Sequence, residues 1–339
     1  MSDAVTGGAR PTGVRRITSA LGIALLRLTL LFSPRPAVRA LRRSFTRDAA
    51  ERNAAQFTVG PKTVMAAHGL HYDGRPDATL DLYLPGAITG TDDTLAVVVW
   101  IHGGAFIAGD KSELEGYLRV LADRGFAVVA PNYPLAPESS FPTATRQLMA
   151  SLAWIGENAA RYRLDPARIV LAGDSAGAQL CAQLATLIVN PEYSLEAMIA
   201  PTVPPWCLRG VVLCGGIFDL TRLRDESRYG ALLPAIGWAY SGIRRFDDDT
   251  GFRRRFGMPG ELDSTFPPAF VTVGNADPVR AQSRELVTTL ENADVEVDVL
   301  FFADDHEPPV PHEYQFDLEL KDARIALDRI VRFLERVTQ

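Results

Sequence analysis

The sequence predicts an α/β fold, in which a mostly parallel central sheet has helices on both faces. Short apolar segments of strand length alternate along the chain with longer segments of helix length, and this alternation is typical of parallel sheets. The segment at 95–101, LAVVVWI, is apolar throughout, as expected of a strand that is covered on both faces. At 219–264 the alternation stops, which predicts a helical cap inserted between two strands.

The composition excludes several classes of function. Of the 339 residues, 47% are apolar and 22% are charged, as is typical of a globular protein with a sizeable core. The net charge of −6 argues against nucleic-acid binding. The cysteines, Cys181, Cys207 and Cys214, are too few and too scattered for a disulfide framework or a metal site. They indicate buried thiols in a reducing compartment.

The amino-terminal segment, residues 1–55, differs in charge from the rest of the chain. Residues 1–52 carry a net charge of +7, so the remainder carries −13. The apolar stretch at 17–32 is short for a transmembrane helix, is interrupted by Arg27, and is followed by no clear signal-peptide cleavage site. We expect this segment to form part of the cap. The alternative is a peripheral membrane contact through residues 15–45, and the expected location is cytoplasmic or membrane-associated.

The remaining elements follow from apolar patterning and turn residues. Residues 59–72 and 79–84 are expected to form a hairpin, because apolar residues alternate along the second strand and DGRP at 73–76 is typical of a turn. Asp165 and Pro166 predict a turn before the strand at 169–172. The other predicted strands are 95–101, 127–130, 211–214, 268–274 and 295–302, and the predicted helices are 112–124, 144–162, 178–189, 279–292 and 318–337. The aromatic residues of the cap, Tyr229, Trp238, Tyr240 and Phe246, are interpreted as core packing, with the lining of an apolar substrate pocket as the alternative.

The strand at 169–172 leads directly into Gly173-Asp174-Ser175-Ala176-Gly177 and then into a helix. Strand, G-x-S-x-G and helix together are the context of a nucleophile elbow, in which the serine hydroxyl is exposed on a strained turn. Gly173 and Gly177 allow the strand and helix backbones to approach closely. The amide of Ala176 is placed to bind an oxyanion. The alternative, a glycine-rich turn with an incidental serine, is disfavoured by this context.

Acyl transfer by a serine also requires a base, an orienting acid and further oxyanion donors. Asp277 follows the strand at 268–274, and His306 and His312 follow the last strand, so the order serine, aspartate, histidine is that of α/β-hydrolases. Gly103 and Gly104 follow the strand at 95–101 and are expected to donate backbone amides to the oxyanion. The alternative for Asp277 is an N-cap of the next helix.

Four motifs together resemble those of a known family. HGGAF at 102–106, YPLAPE at 133–138, GDSAG at 173–177 and NADP at 275–278 are similar to the motifs of hormone-sensitive-lipase-like esterases and lipases of the α/β-hydrolase superfamily. The resemblance covers residues 95–337. It implies the α/β-hydrolase fold, no cofactor, a catalytic domain at 56–339 capped by the insertion at 219–264, and hydrolysis of short- to medium-chain carboxylic esters. Ala105 stands where many members have a third glycine.

The resemblance also favours one of the two histidines as the base. His312, with an aromatic residue two positions later, is similar to the family's catalytic histidine. His306 lies among acidic residues, which would favour a charged imidazolium. The acidic cluster at 304–307 is interpreted as a solvated loop, since no second set of ligands at metal spacing is visible, and no metal site is expected. His102 is interpreted as bracing its loop.

Two other classes of function remain open at this point. An amidase or an acyltransferase could use the same serine, histidine and aspartate. A non-catalytic ligand-binding protein on this fold would usually have lost a member of the triad, whereas this chain retains candidates for all three. The expected partner is a small-molecule ester.

Overall fold

The computed structural model describes residues 28–56, 61–86, 94–224 and 233–339. Most of the apolar stretch predicted at 17–32 and the part of the cap that contains Tyr229 lie outside these residues. No helix of the described ranges is long and apolar enough to cross a membrane.

The described chain forms one eight-stranded sheet in the order β1-β2-β4-β3-β5-β6-β7-β8. The strands are β1 (Met65–His71), β2 (Thr79–Leu84), β3 (Leu95–Ile101), β4 (Ala127–Pro131), β5 (Leu164–Asp174), β6 (Leu208–Cys214), β7 (Ala269–Val273) and β8 (Val297–Phe301). The hairpin β1–β2 is antiparallel, and β2 is also antiparallel to β4, whereas all other neighbours are parallel. The prediction of a mostly parallel sheet is confirmed.

The helices are α1 (Arg35–Gln56), α2 (Glu115–Asp123), α3 (Thr143–Glu157), α4 (Ala159–Tyr162), α5 (Ala176–Val189), α6 (Pro191–Ala197), α7 (Leu233–Ser241), α8 (Thr250–Phe256), α9 (Arg280–Asn292) and α10 (Lys321–Val337). Short 3-10 helices occur at Lys111–Leu114, Pro205–Cys207, Leu220–Arg224, Met258–Glu261 and Tyr314–Phe316.

Both faces of the sheet are buried, because the side chains of its central strands alternate between two apolar cores. In β3, Val97, Val99 and Ile101 belong to one core, and Val98 and Trp100 belong to the other. Helices α2 and α10 cover the core of Val98, while α3, α5 and α9 cover the core of Val97. Each fully buried aliphatic side chain contributes about 1.5–3 kcal/mol of transfer free energy. Helices on both faces confirm the predicted architecture.

Three elements differ from the prediction. The first strand begins at Met65 rather than at residue 59. The helix predicted at 144–162 is interrupted at Asn158, whose side chain donates to the carbonyl of Trp154. Asp165 and Pro166 lie within β5, where a register shift against β3 takes the place of the predicted turn.

Helix α1 packs directly against the core of the sheet. Its Ala37, Val38 and Leu41 are fully buried in the same core as the central strands. Arg42 adds polar contacts, since its guanidinium donates to the carbonyls of Ile107 and Ala136 and pairs with Glu138. Helices α7 and α8 lie in the predicted insertion, together with the 3-10 helices Leu220–Arg224 and Met258–Glu261.

Candidate active site

The serine elbow lies where β5 ends and α5 begins. Ser175 has φ 52° and ψ −117°, a backbone conformation that L-residues rarely adopt and that the surrounding structure must maintain. Its amide donates to the carbonyl of Cys214 at 2.8 Å. A Cβ on Gly177 would lie 2.0 Å from the carbonyl oxygen of Ile101, so only glycine allows this close approach of α5 to β3.

The other two predicted triad members lie next to Ser175. Its Oγ is 3.0 Å from Nε2 of His312, and Nδ1 of His312 is 2.8 Å from Oδ2 of Asp277. The side chain of Asp277 is only 1% exposed. Its Oδ1 accepts the amide of Val279 at 2.9 Å, so the carboxylate both shapes the turn before α9 and orients the imidazole. The loops after β5, β7 and β8 therefore bring three polar groups to the carboxyl edge of the sheet.

His306 lies apart from this constellation. Its Nε2 is 3.0 Å from Oδ2 of Asp322 in the first turn of α10, and its ring packs against Phe302. Its carbonyl accepts from the side chain of Asn275. These contacts are those of a residue that fixes the loop between β8 and α10.

The electrostatic setting of His312 favours its charged form, so acidic surroundings do not distinguish His312 from His306 as expected. Burial alone lowers the pKa of His312, but the charge of Asp277 and its hydrogen bond act in the opposite direction. Glu313 and Asp174 add to the effect of Asp277, and together the carboxylates raise the pKa of His312 to about 9.

This pKa leads to a prediction for the pH dependence of hydrolysis. A general base must be neutral to accept a proton, and kcat/KM reports the ionisation of the free enzyme. We expect kcat/KM for a neutral ester to rise with pH and to level off above about pH 9. A pH–rate profile, corrected with Ser175→Ala for spontaneous hydrolysis, measures this. A plateau already reached near pH 6.5, the ordinary value for histidine, would contradict the electrostatic assignment.

The predicted oxyanion donors differ in their present hydrogen bonds. The amide of Gly103 donates to Oδ2 of Asp174 at 2.9 Å. Within the described part of the chain, the amides of Gly104 and Ala176 have no acceptor, and neither has that of Ala105. Ala105 has φ 53° at the position where a third glycine was expected. The amide of Ala105 was not among the expected donors.

Contacts of His102 and Tyr133 hold in place the loop that bears these amides. The ring of His102 stacks on Tyr133, with the centroids 4.3 Å apart, and its Nδ1 is 2.8 Å from the carbonyl oxygen of Gly103. The hydroxyl of Tyr133 donates to the carbonyl of His102 at 2.9 Å. Burial lowers the pKa of His102 and keeps it neutral. This geometry fits its interpretation as a bracing residue.

Arg42 and Asp174 are site-supporting residues that the sequence did not reveal. Arg42 donates to Ile107 in the segment after Ala105, and Asp174 accepts from both Gly103 and the indole of Trp100. Arg42 carries no local signal. Asp174 belongs to the GDSAG motif, which could have directed attention to it.

The acidic loop at 304–307 shows no arrangement suited to a metal. Asp304 pairs with Arg280 and Arg284, and His306 pairs with Asp322. Among the residues that the structure describes, no group of three His, Cys, Asp or Glu side chains could hold a metal ion.

Known proteins resemble the chain in sequence. A family model described as the α/β hydrolase fold matches residues 98–307. Carboxylesterase NlhH of Mycobacterium tuberculosis is 31% identical over 272 residues, which cover 78% of this chain and 80% of that protein. Ethyl acetate hydrolase of Pseudomonas putida is 28% identical over 228 residues, which cover 65% of this chain and 66% of that protein.

Solved structures show the same fold at lower identity. Esterase B of Lactobacillus rhamnosis superposes with a TM-score of 0.77 and 20% identity, covering 90% of this chain and 96% of that one. An esterase of Pyrobaculum calidifontis superposes with a TM-score of 0.71 and 23% identity, covering 93% of this chain and 99% of that one. Fold, family model and relatives agree, and the chain belongs to the hormone-sensitive-lipase-like family of α/β hydrolases as a carboxylic-ester hydrolase.

Proposed function

We propose that the chain hydrolyses carboxylic esters through an acyl-enzyme intermediate, with Ser175 as nucleophile, His312 as general base and Asp277 as the orienting acid. The observation that chiefly supports this is the continuous hydrogen-bonded path from Ser175 Oγ through both nitrogens of His312 to the buried carboxylate of Asp277. It is the arrangement of groups that nucleophilic catalysis by serine needs.

In the acylation step, Oγ of Ser175 attacks the ester carbonyl carbon while its proton passes to Nε2 of His312. The negative oxygen of the tetrahedral intermediate is bound by the amides of Gly104, Ala105 and Ala176. Each such donor contributes about 3–4 kcal/mol to stabilising the transition state. The intermediate collapses, the C–O bond to the alcohol breaks, and the departing oxygen takes the proton from Nε2.

In the deacylation step, water takes the place of the alcohol. His312 removes a proton from the water as its oxygen attacks the acyl carbon, and Ser175 leaves with the proton returned from Nε2. Asp277 keeps Nδ1 protonated throughout, so Nε2 is the nitrogen that exchanges protons. The products are a carboxylic acid and an alcohol.

The substrate class that we propose is a small ester with a short to medium acyl chain. A cavity of about 490 Å³ lies between the loop after β6 and α8. Phe218, Leu220, Phe252 and Phe256 line it together with polar residues that include Asp219, Arg253 and Arg254. The residue before Phe218, Ile217, donates its amide to the carbonyl of Ser175. Pockets of this volume hold small ligands. The hydrolase of ethyl acetate and a tributyrin-phosphonate-inhibited esterase B, both similar to this chain, point in the same direction.

A series of p-nitrophenyl esters of increasing acyl length tests the proposed substrate class. We expect kcat/KM to be highest for short to medium chains and to fall for long chains. The Ser175→Ala protein provides the blank. Faster turnover of matched anilides would favour an amidase, and transfer to an added alcohol in preference to water would favour an acyltransferase.

We further propose that residues 1–55 and the insertion at 219–264 together cap the catalytic domain, and that the amino-terminal part contacts a membrane surface. Helix α1 buries one face on the body and exposes Arg35, Arg39 and Arg43 on the other. Just before it, Leu31 and Phe32 are exposed, Phe32 to 84%. Exposed apolar residues beside a basic helix face are typical of proteins that bind anionic membrane surfaces. The buried cysteines, which are all free thiols, support the expected cytoplasmic location.

Sedimentation with vesicles tests the membrane contact. We expect the full chain to pellet with anionic vesicles and not with neutral ones, and a Leu31→Ser/Phe32→Ser variant to pellet less. Trp206→Ser, which removes another exposed apolar side chain outside this segment, is the matched control and should behave like wild type. Equal pelleting of all three proteins would reject the membrane role.

A further inference from the structure

Glu313, the residue after His312, has no part in the triad, and yet its carboxyl group faces the reacting atoms. Its Oε1 is 3.8 Å from Nε2 of His312, the nitrogen that is bonded to Ser175 Oγ. The side chain is only 11% exposed. Glu313 has φ 57°, and this left-handed conformation is a strained one that the local structure has to maintain.

The same carboxyl group lies against the loop that bears the oxyanion donors. A Cβ placed on Gly103 would be 2.9 Å from Oε1 of Glu313 and 2.3 Å from Oδ2 of Asp174. Glu313 is therefore held between the imidazole and the backbone of the loop. The carboxyl group is thus largely buried and lies close to both the imidazole and the loop.

We infer that Glu313 is a positioning residue of ester hydrolysis, whose carboxylate stabilises the imidazolium of His312 that forms when Ser175 loses its proton. This inference rests on the proposed function. Positive charge develops on His312 in each transition state, and a fixed carboxylate near the new N–H stabilises that charge without reorganisation. Asp277 stabilises the positive charge from the side of Nδ1, and Glu313 stabilises it from the side of Nε2.

The charged groups that face His312 come from three elements. Asp277 belongs to the loop after β7, Asp174 ends β5, and Glu313 belongs to the loop after β8. Removing one of these charges should reduce the stabilisation of the imidazolium both in the resting enzyme and in the transition state. An opposite charge at this distance changes a pKa by about one unit or more, which corresponds to about tenfold in the stabilisation of the charged form.

The test compares pH profiles of kcat/KM for Glu313→Gln and wild type on a neutral ester. Glutamine keeps the shape of the side chain and removes its charge. We expect the apparent pKa of the acid limb to be about one unit lower in the variant. On the alkaline plateau, kcat/KM of the variant should be about tenfold lower than that of wild type. At acidic pH the two profiles should converge. There the variant has a larger fraction of neutral His312, which offsets its weaker stabilisation of the transition state. KM for the neutral ester should change little.

Two further variants separate this role from a merely structural one. Glu307→Gln removes an exposed carboxylate from the same loop and should leave the profile unchanged. Glu313→Asp restores the charge at shorter reach and should recover part of the wild-type profile.

A Glu313→Gln profile that is lowered equally at every pH, or that coincides with the wild-type profile, would overturn the inference. Wild-type turnover that persists in Ser175→Ala would instead overturn the proposed function, and this inference with it.

Discussion

Ser175→Ala should reduce ester hydrolysis on the order of a millionfold, to the residual level supplied by binding and the oxyanion donors. The reason is that no acyl-enzyme can form without Oγ. The elbow backbone does not depend on the hydroxyl, whose one hydrogen bond in the described structure is to His312. The free energy of unfolding should therefore change by less than about 1 kcal/mol. Kinetics on a p-nitrophenyl ester and a thermal melt together measure both effects.

A matched control distinguishes loss of the nucleophile from loss of any buried serine. Ser283 is fully buried in α9, and its hydroxyl has no partner within the described residues. Ser283→Ala should leave turnover unchanged. If Ser175→Ala retained more than a few per cent of wild-type activity, the elbow assignment would be wrong.

His312→Ala should have an effect of similar size, a loss on the order of a millionfold in kcat. Without the imidazole, Ser175 has no base, and the buried carboxylate of Asp277 keeps only the amide of Val279 as a partner among the bonds described above. His306→Ala should retain nearly full activity, because His306 bonds Asp322 and packs on Phe302 away from the serine. The free energy of unfolding of His306→Ala should be lower by about 1 kcal/mol, because one hydrogen bond is lost.

The two histidine variants check each other. Both remove an imidazole from the same loop, so a general effect on the loop would reduce activity in both. Activity that survives in His312→Ala and disappears in His306→Ala would reverse the assignment.

The sequence was sufficient to predict those parts of the site that rest on local structure. The elbow is a strand, a glycine-flanked serine and a helix in immediate succession, and such a segment has few alternatives. The order of Ser175, Asp277 and His312 along parallel strands also placed them at one edge of the sheet. The register shift within β5 was not predictable in this way, because it depends on pairing with β3.

The position of His312 depends on contacts that no local pattern contains. The loop after β8 folds back so that Val310 accepts the amide of Ala276 and donates its own amide to Asn275. These bonds fasten the proline-rich segment beside the loop of Asp277 and direct His312 inward. Position along the chain alone could therefore not choose between His306 and His312.

The contacts of the oxyanion loop could not be predicted from local sequence either. The motif suggested Gly103 as a donor, but the carboxylate of Asp174, 71 residues away in sequence, accepts its amide. Arg42 reaches Ile107 across 65 residues from a segment that the motifs do not cover. Both are long-range contacts between a charged side chain and a backbone group. Neither the periodicity nor the composition of the sequence predicts such a contact.

Labelling with a fluorophosphonate probe, followed by mass spectrometry of the modified peptide, tests the central claim most directly. The probe reacts with a serine that an adjacent base has activated. We expect a single adduct on Ser175, no adduct in Ser175→Ala, and much slower labelling in His312→Ala than in His306→Ala. An adduct on another residue, or labelling that persists unchanged in Ser175→Ala, would contradict the assignment of Ser175 as the nucleophile.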